Sequence, residues 1–249
     1  SQALPLLSLS SVAETMKLGT QPALDDRIEA AIRQVIARQA PNGAFGLWRP
    51  ESGDFWLDAY VGDFLSRARA EGHDVPQLAY RMAMDNLRNR VNYAPDFDEG
   101  GQDIAYAMLV LAREGAAAMA DLRYYADVKA ENFATPLAVA QLGAALASYG
   151  DQTRADALFS QAGRMLAAEP TEPPVWRADY GTTRRDTAAV LALATEAGSR
   201  AIDPAVLTAR LAQPDPHPST QAAARTRMAA HALISTAEQS GLRGNRAAV

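Results

Sequence analysis

The chain has 249 residues, with 24 Lys and Arg against 29 Asp and Glu, and its formal net charge is −5. This acidic balance argues against nucleic acid as a main partner, because phosphate binding needs a basic surface. Cysteine is absent, which excludes disulfides, thiolate metal sites and cysteine nucleophiles from these residues. No apolar run reaches the ~18 residues of a membrane span, so we expect no direct membrane insertion by this chain.

Helical periodicity dominates the sequence. Apolar residues recur at spacings of three and four, as one face of a helix requires. Alanine, the strongest helix former, makes up about a fifth of the residues. The apolar stripes follow in order at Ile28–Ile36, Leu57–Ala68, Tyr80–Val91, Ile104–Ala112, Ala138–Tyr149, Ala155–Leu166, Val190–Ala197 and Ala222–Ala237. Strand-like alternation is almost absent, and we therefore expect an all-α fold of about eleven helices with no sheet.

The helices are expected to pair as antiparallel hairpins in one domain over residues 1–240, followed by a short tail at 241–249. Hairpins of this kind can close into an α/α toroid or wind into an open superhelix. The stretch from Leu142 to Ala162 resembles a single tetratricopeptide unit. A superhelix needs about three such repeats. A tetratricopeptide-like adaptor is therefore the third hypothesis for this chain, and the first two, given below, both assume a toroid.

A Gly-containing turn after the first apolar stripe predicts a corner of the toroid. Asn42 and Gly43 favour a positive backbone φ, and Gly46 allows another backbone to approach closely. Phe45 and Trp48 then carry large apolar side chains back to the core. We interpret these five residues as structural rather than as a binding site. A degenerate second copy of the corner follows at Asp179-Tyr180-Gly181-Thr182.

The densest group of carboxylates lies in the loop from Asp96 to Asp103 and is the candidate for catalysis. A catalytic acid at Asp96, Asp98 or Asp103 would need a pKa raised by an apolar pocket. Such a site would make the protein an α/α-toroid enzyme, a cyclase or a carbohydrate-active protein, and this is the alternative hypothesis. The other interpretation is a solvated loop before a helix that begins near Asp103.

The remaining polar and aromatic residues predict no metal or cofactor. The three histidines are scattered along the chain, at His73, His217 and His231. The charges of Arg184-Arg185-Asp186 are interpreted as surface ion pairs, each contributing about 0.3–0.5 kcal/mol. A binding face is a further possibility for three aromatic residues, Tyr124, Tyr125 and Trp176.

Several sequence blocks, taken together and in order, resemble the thioester domain of bacterial α2-macroglobulins, members of the complement superfamily. The blocks are Ser1–Leu7, Gln39–Trp48, Gly53–Val61, Ala105–Ala107 with Leu111–Arg113, Asp121–Asp127, Asp179–Gly181 with Arg185-Asp186, and Ser219–Gln221. They are collinear across the predicted domain. The resemblance implies an α/α toroid like that of complement thioester domains.

The same resemblance implies a non-enzymatic part in an envelope protease trap. In intact members of the family a protease cleaves a bait region, the molecule rearranges, and an internal thioester acylates nucleophiles on the protease. The implied partners are the other domains of the parent macroglobulin, the attacking proteases and a peptidoglycan synthase. The implied location is the periplasm, with the parent anchored by lipid to the inner membrane.

The reactive motif of the family, Cys-x-Glu-Gln, falls by this resemblance just before Ser1. Ser1 and Gln2 would then be adjacent to a thioester, and we expect the chain to be cut from a longer parent. That parent either carries the motif or is a thioester-less member of the family. Complement relatives also use a histidine in the stretch that corresponds to Tyr93–Gly101, which has none here. The resemblance therefore implies amine acceptors for any thioester in the parent.

Overall fold

The computed structural model describes residues 3–7, 22–51, 53–168, 177, 179–214 and 220–247. These residues form eleven α-helices and one 3₁₀ turn, Ala130–Asn132. The helices are α1 (Ala3–Leu7), α2 (Pro22–Ile36), α3 (Phe55–Ala70), α4 (Gln77–Asn92), α5 (Gln102–Arg113), α6 (Met119–Val128), α7 (Pro136–Ser148), α8 (Gln152–Ala168), α9 (Thr183–Glu196), α10 (Pro204–Ala212) and α11 (Thr220–Ala247). Within these ranges β-type pairing is limited to two isolated bridges. The expected all-α fold is confirmed.

The odd-numbered helices pack against one another in a closed ring. α3 packs on α5, α5 on α7, α7 on α9 and α9 on α11, and α1 closes the ring by contacting both α11 and α3. The even-numbered helices lie outside: α4 packs on α3 and α5, and α8 packs on α7 and α9. This is the expected α/α toroid. A closed ring also differs from the open superhelix that a tetratricopeptide-like adaptor requires.

Burial separates inner from outer helices. α5 buries every residue from Ile104 to Ala112, because other helices surround it on all sides. α6 lies outside and buries only Leu122. An apolar run without a polar face therefore marks an inner helix, and a one-sided stripe marks an outer one.

The N-termini of the inner helices share one end of the toroid. Consecutive inner helices are connected through one antiparallel outer helix, so α3, α5, α7 and α9 run parallel. α3 begins at a cap in which the Asp54 carboxylate accepts a hydrogen bond from the Leu57 N–H at 2.9 Å. α9 follows the cap residue Thr182, whose hydroxyl accepts a hydrogen bond from the Arg185 N–H at 3.1 Å. These two caps fix where the inner helices start at that end.

The C-terminal helix α11 runs without a break from Thr220 to Ala247. It passes the position at which the sequence analysis separated a domain of residues 1–240 from a tail of 241–249, and that division stays a prediction. Among the described residues, no helix combines the length and the hydropathy that a membrane crossing requires.

Two tryptophans with opposite burial test the packing of the ring. Trp56 is 8% exposed and stacks on Tyr60 with a ring separation of 5.3 Å, whereas Trp48 is 86% exposed. Trp56→Ala is expected to lower the free energy of unfolding by about 3–5 kcal/mol, because it removes a buried ring and leaves a cavity. Trp48→Ala is the matched control and should change it by less than about 0.5 kcal/mol. Urea unfolding followed by circular dichroism measures both, and equal losses would contradict the packing described.

Candidate functional site

A concavity of about 890 Å³ opens at the end of the toroid where the inner helices begin. Its wall contains Asp54 and Trp56 from the start of α3 and Arg90 from the end of α4. Asp103 in the first turn of α5 and Asp179 ahead of α9 complete the charged part of the lining. Of these residues, Asp103 belongs to the candidate site predicted from the sequence.

The acidic loop does not assemble into a catalytic centre. Of the three proposed acids, Asp103 lines the concavity, whereas Asp96 and Asp98 are exposed and outside its lining. Asp96 forms an ion pair with Lys129 at 2.7 Å, and the hydrogen bond from Lys129 lowers the pKa of Asp96. A general acid needs a shift in the opposite direction. The α/α-toroid enzyme is therefore not favoured, and the solvated-loop interpretation describes this segment better.

The predicted corner contains a tight turn that glycine alone permits. The Asn42 side-chain oxygen accepts the N–H two residues further on, at 3.2 Å. Gly43 has a φ of +88°, and a Cβ at this position would lie 2.1 Å from the carbonyl oxygen of Met82 in α4. A Cβ at Gly46 would lie 2.0 Å from the carbonyl oxygen of Arg49. The turn thus brings two backbone segments closer than any side chain allows.

The corner is fastened to α3 and α4 by a buried carboxylate. The Phe45 N–H donates to one oxygen of Asp58 at 2.7 Å, and the Asn86 amide donates to the other at 2.9 Å. Burial raises the pKa of Asp58, while these two hydrogen bonds lower it. Phe45 is buried as expected, but the expectation that Trp48 packs into the core is wrong, because its ring projects from the loop into solvent. Helical spacing does not extend into a loop, so it could not place this ring.

The expectation that Arg185 and Asp186 form surface ion pairs is also wrong. Arg185 is 1% exposed and donates to the Asp179 carboxylate at 2.6 Å and to the Asp186 carboxylate at 2.7 Å. Arg177 donates to the same two carboxylates, each at 2.8 Å. Burial raises the pKa of Asp179, but the neighbouring guanidiniums lower it to a net value below its usual range. The predicted second corner is therefore held by a buried ionic cluster.

A second buried ionic cluster, which the sequence analysis missed, lies inside the ring. Asp63 of α3 accepts hydrogen bonds from Arg67 at 2.8 Å, from the Tyr106 hydroxyl at 2.7 Å and from Arg113. Arg225 of α11 lies 3.7 Å from the same carboxylate and donates to the Tyr106 oxygen at 2.7 Å. Burial by itself raises the pKa of Asp63, but the three guanidiniums and the hydroxyl lower it by more, so the net pKa lies far below its ordinary value.

A signal for this cluster was present in the sequence. Asp63 interrupts the apolar stripe of α3 between two buried neighbours, and Arg225 interrupts an alanine-rich segment of α11. A charge on an otherwise apolar helix face predicts a buried partner. The sequence could not identify that partner, because Asp63 and Arg225 are separated by most of the chain.

Tyr180 has a strained backbone beside the concavity. Its φ is +53°, and it is the one residue other than glycine with a positive φ in the part of the chain that the structure describes. Its hydroxyl donates to Asp54 at 3.1 Å, and its ring lies 5.5 Å from that of Trp56. A left-handed conformation at a tyrosine costs about 1–2 kcal/mol and persists only where its surroundings enforce it.

The other predicted residues do not join a site. The structure leaves four of them outside its described ranges: Ser1, Gln2, Trp176 and His217. His73 and His231 are half-buried, and no group of three or more side chains that could hold a metal ion occurs within the described ranges. Tyr125 stacks on Phe97 at 6.2 Å, while Tyr124 is exposed; a binding face there stays a prediction.

Comparison with known proteins identifies the family. No protein-family model matches the chain. The alpha-2-macroglobulin of Escherichia coli is 31% identical over 202 residues, which cover 75% of this chain and 12% of that protein. The alpha-2-macroglobulin of Xylella fastidiosa is 29% identical over 177 residues, 68% of this chain and 11% of that protein. The chain is homologous to the bacterial alpha-2-macroglobulins.

Solved alpha-2-macroglobulin structures share the toroid. Native E. coli alpha-2-macroglobulin aligns with a TM-score of 0.79 and 26% identity over 93% of this chain and 16% of that chain. A crystal structure of the same protein from domain MG7 to the C-terminus aligns with a TM-score of 0.78 at 26% identity, over 93% of this chain and 39% of that one. The chain therefore corresponds to a domain in the C-terminal region of that macroglobulin. It spans about an eighth of the length of the curated relatives it matches.

Asp63→Asn tests the buried cluster inside the ring. The folded-state pKa of Asp63 lies below its unfolded value of 3.8, so the carboxylate stabilises the fold at neutral pH and this contribution declines as the pH falls below about 4. The variant is expected to lose about 3–5 kcal/mol of unfolding free energy at pH 7, because it leaves guanidiniums without their buried anion. The loss should shrink between about pH 4 and pH 2.

Urea unfolding of wild type and variant at several pH values measures this difference. Asp26→Asn, which removes an exposed carboxylate from α2, is the matched control and should stay within about 0.5 kcal/mol of wild type at every pH. A pH-independent difference for Asp63→Asn would show that the cluster does not depend on the ionised carboxylate.

Proposed function

We propose that the chain is a non-enzymatic, thioester-type domain of a bacterial alpha-2-macroglobulin-like protease inhibitor. The observation that carries this proposal is the homology to alpha-2-macroglobulins across 75% of the chain, together with the same fold over 93% of it. One of the aligned structures is E. coli alpha-2-macroglobulin activated by porcine elastase, with a TM-score of 0.79. The geometry adds support, because the acidic loop does not converge as an enzyme site requires.

The physical role that we propose is scaffolding. α1 contributes Leu4, Leu6 and Leu7 to the buried core and closes the ring between α3 and α11. By resemblance, the family's reactive motif lies next to the position of Ser1 and Gln2. A segment preceding α1 would then be held against a rigid ring, which limits the orientations in which a reactive group meets a neighbouring domain or an attacking nucleophile.

The proposal also covers the cellular location and the partners of the parent protein. We place it in the periplasm, anchored by lipid to the inner membrane, as the resemblance implies. Its partners would be the remaining macroglobulin domains, the attacking proteases and a peptidoglycan synthase. Cell fractionation of the tagged parent tests the location, and recovery in the cytoplasmic fraction would contradict it.

A protease-trapping assay on the intact parent tests the function. The parent is incubated with trypsin, and the remaining protease activity is measured on a small chromogenic peptide and on a large protein substrate. A trapped protease keeps most of its activity on the small peptide and loses most of its activity on the protein, because the large substrate cannot reach it. Equal hydrolysis of both substrates with and without the parent would overturn the proposal.

A pair of variants connects the assay to this domain. Leu4→Ala is expected to loosen α1, at a cost of about 2–5 kcal/mol to the packing of that site, and to reduce the protection of the large substrate. Trp48→Ala changes an exposed side chain and should leave trapping unchanged. If trapping proved insensitive to Leu4→Ala despite a measured loss of domain stability, the scaffolding role would be contradicted while the inhibitor function remained.

A further inference from the structure

A second hollow opens at the other end of the toroid, where the inner helices end, and its volume is about 240 Å³. Its polar wall residues lie in the last turns of three inner helices: Arg113 of α5, Ser148 of α7 and Glu196 of α9. Leucine and alanine side chains form the rest of the wall. Since a cavity of about 150 Å³ accommodates benzene, this hollow has room for a ligand of several heavy atoms.

Three guanidiniums share the carboxylate of Asp63 next to this hollow. Arg67 and Arg113 both donate to its Oδ1 atom, and Arg225 lies 3.7 Å from its Oδ2 atom. Glu196 is the second carboxylate, 3.8 Å from Arg67. Among the described residues, two carboxylates at ion-pair distance therefore face three guanidiniums, and one positive charge is left without an anion at that distance.

Two further carboxylates at this end do not complete the balance. Glu114 follows α5 and accepts a hydrogen bond from the Ser66 hydroxyl at 2.6 Å. Glu71 follows α3 and interacts electrostatically with Arg67; burial raises the pKa of Glu71 to about 7, although Arg67 lowers it. Glu71 is therefore protonated in about half of the molecules at neutral pH. Within the described ranges, neither carboxylate forms an ion pair with the arginines around Asp63.

One nitrogen of Arg67 is an unused donor. The Nη2 atom of this side chain is buried and donates no hydrogen bond to any described residue. Its Nε atom donates to Asp63 at 2.8 Å, and its Nη1 atom lies 3.8 Å from Glu196 in the wall of the hollow. A buried charged donor without an acceptor is costly, and folded proteins usually supply it with a water or an ion. The unused donor and the excess charge are separate observations, and both indicate an anion.

A cation is the less suitable occupant, although helix C-termini usually attract cations. Arg67 and Arg113 lie in the last turns of α3 and α5 and already place positive charge at these ends. The turn after α5 also uses up carbonyls, because the Ala116 N–H donates to the Leu111 carbonyl at 2.8 Å, and the turn after α9 is built in the same way. A further cation would be repelled by the two guanidiniums.

We propose that this hollow binds a small monocarboxylate, whose carboxylate group accepts hydrogen bonds from Arg113 and Arg67 while a short carbon chain packs on Leu109 and Leu193. The planar guanidinium matches a carboxylate in geometry as well as in charge. The apolar part of the wall favours a ligand with a carbon chain over a bare inorganic anion. The inference does not rest on the protease-trap proposal, because binding to the isolated chain involves neither a protease nor a thioester.

An NMR titration of the chain with sodium butyrate at constant ionic strength tests the proposal. Butyramide is the matched control ligand, because it keeps the size and removes the charge. Butyrate is expected to shift the side-chain resonances of Arg113 and Leu109 and to bind at least about tenfold more tightly than butyramide. Acetate, which lacks most of the carbon chain, should bind more weakly than butyrate.

Two variants test whether butyrate occupies the hollow. Arg113→Gln removes a guanidinium from the wall, and Ala147→Leu fills part of the hollow without changing any charge. Each is expected to weaken butyrate about tenfold. Arg33→Gln on α2 and Ala120→Leu on α6 make the same changes at exposed positions and should bind butyrate like wild type. Circular dichroism verifies the folding of each variant, and if Arg113→Gln unfolds, Ala147→Leu decides alone.

Three results would overturn the proposal. Equal affinity for butyrate and butyramide, or no saturable binding of either, would show that the hollow does not recognise a carboxylate. Chloride or sulfate that binds as tightly as butyrate would assign the hollow to inorganic anions and contradict the role of the carbon chain. Wild-type affinity in both Arg113→Gln and Ala147→Leu would place butyrate elsewhere on the chain.

Discussion

The buried Asp63 carboxylate is the interaction on which the ring most depends. Its hydrogen-bond donors come from α3 and α5, and α11 contributes a further guanidinium as an ion-pair partner, so one charged group connects helices that lie far apart in sequence. The surrounding inner helices are rich in alanine and leucine, and similar apolar surfaces can slide by a turn at little cost. A carboxylate that must meet several donors at once does not tolerate such a shift. We therefore interpret the cluster as fixing the register of the inner helices.

The ionic cluster around Asp179 and Asp186 has a different role, at the end of the toroid. Arg177, Arg185, Asp179 and Asp186 are close to electrically balanced, and they constrain a loop rather than a helix pair. Their consequence is local: the strained Tyr180 is held next to Trp56 and Asp54. The Asp63 cluster thus fixes the packing of the inner helices, whereas the Asp179 cluster fixes the conformation of a surface loop. Both clusters are buried, so removing one charge leaves its partners uncompensated in a poorly solvated site, which costs much more than the loss of a surface ion pair.

Periodicity predicted the positions of eight of the eleven described helices, since apolar spacing depends only on neighbouring residues, whereas no predicted stripe falls on α1, α6 or α10. Periodicity did not predict the features of the structure that depend on residues distant in sequence. Arg185 and Asp186 were interpreted as surface pairs because charged residues are usually exposed, yet Asp179 and Arg177 allow them to be buried. Trp48 was expected in the core because large aromatic rings usually are. The convergence of Asp54, Asp103 and Asp179 on one concavity depends on ring closure, which no local pattern encodes.

The seam between α1 and α11 joins the two ends of the described chain. Contacts of such long sequence separation form late in folding, because the entropy of closing the intervening loop must be overcome first. We therefore expect the ring to close its last gap after the hairpins between α3 and α9 have assembled from nearby segments. The same seam is held on one side by a helix of five residues, the shortest of the described helices, so we expect it to open at a lower free-energy cost than the other contacts between inner helices.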